Sequence, residues 1–246
     1  MEGRAGKEAG GVTGKPKPAP QRPAPRLYLA TPVVDDPAAL AAQLPELLRD
    51  IDVAAVLIRL APRDPRGMTE AAKVLVRPVQ AAGAAALLDG QVDLVARAGA
   101  DGAHLTGVAA LSAAAPQLKP DRIAGVGGLP SRHDAMTAGE AGADYVLFGD
   151  PDAQGRRPAS GAITERLQWW AELFEVPCAG FATTLAEAAA FAAAGADFIL
   201  VGDLIWNDAR GARRALMDAR DAIGQNPDGT FGTIAPAGGS GAQPGA

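Results

Sequence analysis

A phrase that begins Ala-Gly-Ala-Asp occurs three times in this chain, starting at Ala98, Ala141 and Ala194. In each copy an Ala-rich segment ends at a Gly, which can take the left-handed conformation that closes a helix. The Ala-Asp turn then leads into a short apolar run. The copies recur about every forty to fifty residues, which is the spacing of one or two βα units. The phrase therefore predicts a repeated joint between a helix and a following strand.

Apolar runs of strand length alternate with segments that have helical periodicity along most of the chain. There are eight such runs, at residues 26–31, 53–59, 84–88, 102–106, 123–127, 145–149, 177–181 and 198–202. Within these runs apolar residues follow one another instead of alternating with polar ones, as in parallel strands that are buried on both faces. We therefore expect a single (β/α)8 TIM barrel over residues 26–224, a length that such a barrel fills as one domain.

The two ends of the chain differ in composition from the middle. Residues 1–25 combine Gly, Pro, Lys and Ala with almost no large apolar side chains, and residues 225–246 are rich in Gly, Ala, Pro and Ser. Such segments bury too little surface to offset the entropy of ordering, so both are predicted to be disordered tails. The first one lacks the apolar central region of a signal peptide.

The charge balance and apolar content exclude several classes of partner. The chain has 28 acidic residues against 23 Lys and Arg, and no basic patch in the predicted barrel, so we expect no nucleic-acid partner. No apolar run reaches the roughly 18 to 20 residues of a membrane span. The single cysteine, Cys178, rules out an internal disulfide. These features predict a cytoplasmic protein, with a homo-oligomer left open.

In a TIM barrel the active site lies at the carboxyl ends of the strands, whereas the opposite joints contribute to stability. Asp101, Asp144 and Asp197 fall at the opposite joints, so we expect them to be turn or cap residues. Asp150 and Asp203 follow the sixth and eighth runs and fall on the functional face.

Basic and Gly-rich strand ends suggest an anion site. Guanidinium groups bind phosphate bidentately, and Gly-rich turns expose backbone N–H donors. The candidates for substrate or phosphate binding are Arg59, His104, Gly127, Gly128, Arg156, Arg157 and Thr183. The alternative for the glycines is a tight turn, and for the Arg pair a solvated loop.

The imidazole of His104 also has two interpretations. It could act as a general acid or base, but it lies within an apolar run, which favours a hydrogen bond inside the barrel. Cys178 has no basic neighbour in sequence and is expected to be a small buried side chain.

Several segments, in this order, resemble the thiamine phosphate synthase family. They are residues 27–31 (Leu-Tyr-Leu-Ala-Thr), 56–59 (Val-Leu-Ile-Arg), 89–94 (Asp-Gly-Gln-Val-Asp-Leu), 99–105 (Gly-Ala-Asp-Gly-Ala-His-Leu) and 143–149 (Ala-Asp-Tyr-Val-Leu-Phe-Gly). The similarity runs from about Arg26 to Gly224. It implies thiamine biosynthesis, in which a Mg²⁺-assisted barrel couples an aminopyrimidine diphosphate to a thiazole phosphate and releases pyrophosphate.

The chain departs from that family pattern at residues that the family uses for catalysis. Gly90 and Ala109 stand where the family has its two metal-binding Asp residues, which leaves Asp89 as a weak candidate ligand for Mg²⁺. A lone carboxylate is a poor Mg²⁺ site unless the substrate supplies most of the oxygens. Asp150 and Asp203 would also oppose a phosphate placed beside them.

Three functions remain open at this point. The first is the synthase reaction, with Arg59 and Arg157 on substrate phosphates. The second is a non-catalytic barrel that binds a small phosphorylated or heteroaromatic molecule. The third is a different enzyme in which Asp150 and Asp203 act as acid and base.

Overall fold

A computed structural model describes residues 23–152 and 154–224 of the chain. The strands are β1 (Arg26–Val34), β2 (Val53–Leu60), β3 (Ala85–Asp89), β4 (Gly102–Thr106), β5 (Ile123–Gly127), β6 (Tyr145–Phe148), β7 (Cys178–Ala182) and β8 (Phe198–Val201). They are parallel and pair in chain order, and β8 pairs with β1 to close the barrel. The predicted (β/α)8 TIM barrel is confirmed. The predicted tails, residues 1–25 and 225–246, lie outside the described residues except for residues 23–25.

Every predicted run overlaps one strand of the barrel, and β4 and β5 have the predicted bounds. The first strand is longer than predicted because it continues past a register shift against β2, which falls between Ala30 and Val33. The shift inserts one extra residue in β1, as a β-bulge does. It lies at the carboxyl end of the strand, where Thr31 is fully buried.

Helices follow each strand and cover the outside of the barrel. They are α1 (Pro37–Leu48), α2 (Pro65–Ala81), α3 (Val92–Ala98), α4 (Val108–Leu118), α5 (Arg132–Glu140), α6 (Ser160–Leu173), α7 (Leu185–Ala193), α8 (Asp203–Trp206) and α9 (Ala212–Ala222). Asp36 caps α1, since its carboxylate accepts from the first backbone N–H groups of that helix. At α7 the Thr184 hydroxyl accepts from Glu187 N, whereas the Glu187 carboxylate turns to Thr183. The start of α7 is therefore one half of a capping box.

The repeated Ala-Gly-Ala-Asp phrase forms the same joint three times. Each Gly has a positive φ that ends the preceding helix. Each Asp carboxylate then accepts a backbone N–H from the preceding strand: Asp101 from Ala86 at 2.7 Å, Asp144 from Ala124 at 2.6 Å, and Asp197 from Cys178 at 2.8 Å. The backbone N–H of each Asp donates in turn to the carbonyl of the strand residue whose N–H its carboxylate accepts. These carboxylates therefore join neighbouring strands at the amino-terminal face, as predicted.

Two layers of apolar side chains fill the molecule. The larger layer lies between strands and helices, where Trp170 is fully buried beside the partly buried Trp169. Cys178 is also buried in this layer, as expected. The smaller layer lies inside the barrel and consists of Tyr28, Ala30, Leu57, Leu87, Tyr145, Leu147, Ala179 and Leu200. The interior is thus packed, with two tyrosines below the carboxyl-end mouth.

No helix in the described parts of the chain combines the length and apolar character needed to cross a membrane.

Candidate active site

A chain of three buried polar side chains runs through the barrel interior. The Tyr28 and Tyr145 hydroxyls are 2.8 Å apart, and the Tyr145 hydroxyl lies 2.9 Å from His104 Nδ1. The His104 ring stacks on Tyr145, and Tyr28 meets Tyr145 edge-on. Burial lowers the pKa of His104 to about 4, so the imidazole is neutral at pH 7. Burial also raises the pKa values of both tyrosines. The predicted hydrogen bond of His104 inside the barrel is confirmed.

Asp150 lies over the glycine turn that ends β5. Its carboxylate oxygen Oδ2 accepts the Gly128 backbone N–H at 2.7 Å. Burial raises the pKa of Asp150, and the Gly128 hydrogen bond and the charge of Arg166 act against that rise. A Cβ atom added at Gly127 would lie 2.8 Å from Asp150 Oδ2 and 3.0 Å from His104 Nε2. The absence of a side chain at Gly127 therefore lets His104 Nε2 and Asp150 Oδ2 both approach the same point of the β5 end.

A cavity of about 470 Å³ opens beside this turn at the carboxyl ends of β4, β5 and β6. Its lining residues include Thr106, Gly128, Asp150, Arg156, Arg157 and Arg166. Arg166 was not predicted, because it lies in α6, about two turns into the helix and 18 residues after the end of β6. Its guanidinium donates to the carbonyls of Leu129 and Pro130 at 2.8 and 3.0 Å.

Arg157 is bonded to the chain's own oxygen atoms. Its Nε donates to the Gly149 carbonyl at 2.7 Å, and its Nη2 donates to the Phe181 carbonyl. Its Nη1 pairs with the Glu187 carboxylate at 2.9 Å and lies 3.2 Å from the Thr183 hydroxyl. Both charged side chains are mostly buried. These bonds occupy most of the donors that the sequence assigned to a phosphate.

Thr183 and Arg156 are also paired within the chain. The Thr183 backbone N–H and hydroxyl both donate to Glu187 Oε2 at 2.8 Å. Arg156 pairs with Asp152 at 2.8 Å in an exposed loop, and its side chain remains 76% exposed. Arg156 can therefore reorient toward a ligand at little cost, since exposed ion pairs contribute only about 0 to 1 kcal/mol.

A second polar group lies where β1, β2, β3 and β8 end. The Arg59 guanidinium donates from Nε to the Thr31 carbonyl, and its Nη2 lies 3.9 Å from the exposed carboxylate of Asp203. Burial raises the pKa of Asp89, and the nearby Arg59 charge acts against that rise. No hydrogen bond or ion pair within residues 23–152 and 154–224 joins Asp203 to Asp150. The two carboxylates of the third possible function thus have different polar partners, Gly128 N–H for Asp150 and Arg59 for Asp203.

The carboxylates of the described residues do not form a ready metal site. Among them, no group of three or more His, Cys, Asp or Glu side chains is placed to hold an ion. Mg²⁺ prefers near-octahedral oxygen coordination. Asp89 would supply a single protein ligand, so the remaining oxygens would have to come from substrate and water.

Comparisons with known proteins agree with the barrel fold. A family profile described as thiamine monophosphate synthase matches residues 27–205. The chain belongs to this family. A thiamine-phosphate synthase of Rhodospirillum centenum is 41% identical over 196 residues, which are 78% of this chain and 95% of that protein. Another thiamine-phosphate synthase, from Hyphomonas neptunium, is 35% identical and covers 80% of this chain and 93% of its own length.

Solved structures give the same fold at lower sequence identity. A thiamine phosphate pyrophosphorylase from Pyrococcus furiosus superposes with a TM-score of 0.66 at 21% identity, covering 80% of this chain and 95% of its own. A 3-hexulose-6-phosphate synthase superposes with a TM-score of 0.59 at 18% identity, covering 80% and 99%. At these identities the likeness concerns the fold alone.

Proposed function

We propose that the protein is a thiamine-phosphate synthase, which joins an aminopyrimidine diphosphate to a thiazole phosphate and releases pyrophosphate. The observation that carries the proposal is the 41% identity to a thiamine-phosphate synthase along 95% of that protein. The cavity of about 470 Å³ at the carboxyl ends of the strands supports it, because TIM-barrel enzymes have their active sites on this face. The proposed ligands are small phosphorylated molecules.

The residues of this chain have definable tasks in that reaction. The bond from the pyrimidine methylene carbon to the diphosphate breaks, and the thiazole nitrogen forms the new bond to that carbon. Negative charge grows on the departing pyrophosphate, so preorganised cations stabilise the transition state. Arg59 and Arg166 are fixed by hydrogen bonds to backbone carbonyls at this face and can provide that charge. Arg156 adds a third, exposed guanidinium.

The described residues offer Mg²⁺ no cluster of carboxylates. From the resemblance, Gly90 and Ala109 replace the two metal-binding Asp residues of the family, and Asp89 is the one remaining candidate. We assign no step to the metal. The proposal places the neutralisation of pyrophosphate on the guanidinium groups.

A non-catalytic barrel that binds a small phosphorylated or heteroaromatic ligand is the second candidate. The observation that favours it is that Arg157, Thr183 and the Gly128 N–H are bonded to the chain's own carboxylates and carbonyls. A different enzyme that uses Asp150 and Asp203 together is third, since the two side chains share no hydrogen-bond or ion-pair partner among the described residues.

A coupling assay separates these functions. The purified protein is incubated with the aminopyrimidine diphosphate, the thiazole phosphate and Mg²⁺, and released pyrophosphate is measured. We expect turnover that falls by about 100-fold or more in Arg59→Ala, the usual effect of losing one charge-stabilising donor. Arg97→Ala, an exposed Arg in α3, is the matched control and should be unchanged. Saturable binding of either substrate without turnover would instead establish the non-catalytic barrel.

A further inference from the structure

The chain of buried hydroxyls determines which nitrogen of His104 carries the hydrogen. Among the described residues, the Tyr28 hydroxyl has one hydrogen-bond partner, the Tyr145 hydroxyl, and Tyr145 has one more, His104 Nδ1. A buried O–H without an acceptor costs about 1 to 3 kcal/mol. Both hydroxyl hydrogens are used only if Tyr28 donates to Tyr145 and Tyr145 donates to Nδ1. His104 Nδ1 is then an acceptor, and the neutral ring carries its hydrogen on Nε2.

The resulting Nε2–H is a donor that lacks a partner within the described residues. His104 is 5% exposed, so water satisfies this group poorly. The atom lies 3.0 Å from the position that a Cβ added at Gly127 would take. Asp150 Oδ2 lies 2.8 Å from that same position. A hydrogen-bond donor and an anionic acceptor therefore lie less than about 6 Å apart at the carboxyl end of β5.

We propose that His104 Nε2–H and the Asp150 carboxylate bind the amidine edge of an amino-substituted nitrogen heterocycle. The ring nitrogen accepts from His104, and the neighbouring exocyclic amino group donates to Asp150. The proposal rests on the proposed function in taking an aminopyrimidine as the ligand, and it adds the two residues that recognise the ring. The carboxylate repels phosphate from this position, so the charged groups of the ligand point toward the guanidiniums elsewhere on the face.

A pair of ring analogues tests the donor and acceptor pattern. Calorimetric titration of the full-length protein compares 4-amino-2-methylpyrimidine with 4-hydroxy-2-methylpyrimidine, whose oxo form presents an oxygen where the amino group would be. We expect the wild-type protein to bind the amino compound at least about 10-fold more tightly, the usual contribution of a hydrogen bond to a charged group. Equal affinities, or no binding of the amino compound by the folded protein, would overturn the proposal.

The variant Asp150→Asn changes the acceptor with little change in shape. Its amide oxygen can still accept from Gly128 N–H, while its NH₂ group faces the ligand as a donor. We expect the preference for the amino compound to disappear, with its affinity reduced about 10- to 100-fold. Asp121→Asn makes the same charge change at an exposed position before β5 and should keep the preference. Unchanged selectivity in folded Asp150→Asn would also contradict the proposal.

The tautomer of His104 can be measured directly, without the Asp150 variant. The chain contains two histidines, His104 and His133, so ¹⁵N spectra of labelled protein give two ring systems that His133→Gln assigns. We expect a neutral His104 with hydrogen on Nε2, and a shift of that signal when the amino compound binds. Hydrogen on Nδ1 would overturn the proposal.

A protein that fails the coupling assay but retains selectivity through Asp150 would refute the proposed synthase reaction and leave this inference intact.

Discussion

At the scale of single residues, two glycines of β5 decide which side chains reach the barrel mouth. A Cβ added at Gly125 would lie 2.0 Å from the Tyr145 ring, and one at Gly127 would lie 3.0 Å or less from His104 and Asp150. Contacts under 3 Å to a ring inside a packed barrel cannot be relieved by a small shift. These glycines are therefore required by neighbouring side chains rather than by backbone conformation, because neither has a positive φ.

Replacing Gly125 with alanine should be strongly destabilising. The new methyl group would displace Tyr145 and break its hydrogen bonds to Tyr28 and His104. We expect the free energy of unfolding, measured by urea denaturation, to fall by about 3 kcal/mol or more. This loss is at the upper end of the usual cost of adding atoms to a packed core. Gly161→Ala is the control, because an added Cβ there meets nothing within 4 Å. It should be neutral or slightly stabilising, and a similar loss in both variants would contradict the packing argument.

At the scale of secondary-structure elements, one ion pair joins three of them on the functional face. Arg157 lies in the loop after β6 and donates to the carbonyl of Gly149 at the end of β6 and to Phe181 in β7. It also pairs with Glu187 in the first turn of α7. The same carboxylate accepts from Thr183 between β7 and α7. The sequence predicted Arg157 and Thr183 as phosphate ligands, and that prediction stays untested; their observed bonds hold the elements together.

Arg157→Ala should therefore reduce stability as well as any ligand affinity. The change leaves Glu187 without its counter-charge and two carbonyls without donors, which should cost about 2 to 4 kcal/mol. Arg156→Ala removes the neighbouring guanidinium, which is exposed, and should change the free energy of unfolding by less than about 1 kcal/mol. Thermal and urea denaturation of the two variants give the comparison. If both variants unfold like the wild type and Arg157→Ala loses only ligand binding, Arg157 is a ligand residue without a structural role.

At the scale of the whole molecule, the barrel encloses a neutral imidazole that the unfolded chain would protonate. The pKa of His104 is about 4 in the folded protein against 6.5 for an unperturbed histidine. Between these values the unfolded chain binds more protons than the folded chain, so acidification favours unfolding. The contribution of the neutral His104 ring to the free energy of unfolding is fully present above pH 6.5 and is lost as the pH falls toward 4. The raised pKa values of Asp89 and Asp150 act in the opposite direction, because their protonation is favoured in the folded protein.

Comparison of the wild type with His104→Gln isolates the histidine contribution. The glutamine amide oxygen can still accept from the Tyr145 hydroxyl, but it does not titrate. We expect the wild type to lose about 2 to 3 kcal/mol more than the variant between pH 7 and pH 4, at up to about 1.4 kcal/mol per pH unit. Free energies of unfolding across this range test the prediction, and parallel pH profiles for the two proteins would refute it.

The sequence by itself determined the strands, the closing glycines and the structural role of Asp101, Asp144 and Asp197. Those features depend on periodicity and turn chemistry between residues that are close in the chain, so local patterns suffice to predict them. It also predicted the candidate site at the carboxyl ends of the strands, where the cavity lies, because the parallel strands of one barrel all end on that face.

Only the tertiary structure decided which groups at that face are free and which are already bonded. Tyr28 and Tyr145 are 117 positions apart, and Asp150 bonds to a glycine 22 positions before it. The sequence shows that Arg157 carries five donors, but not that Gly149, Phe181 and Glu187 lie within reach of them. Hydrogen bonds form between groups that the closed barrel brings within about 3 Å. Spacing along the chain does not set that distance, so the partners of His104, Asp150 and Arg157 follow from the fold alone.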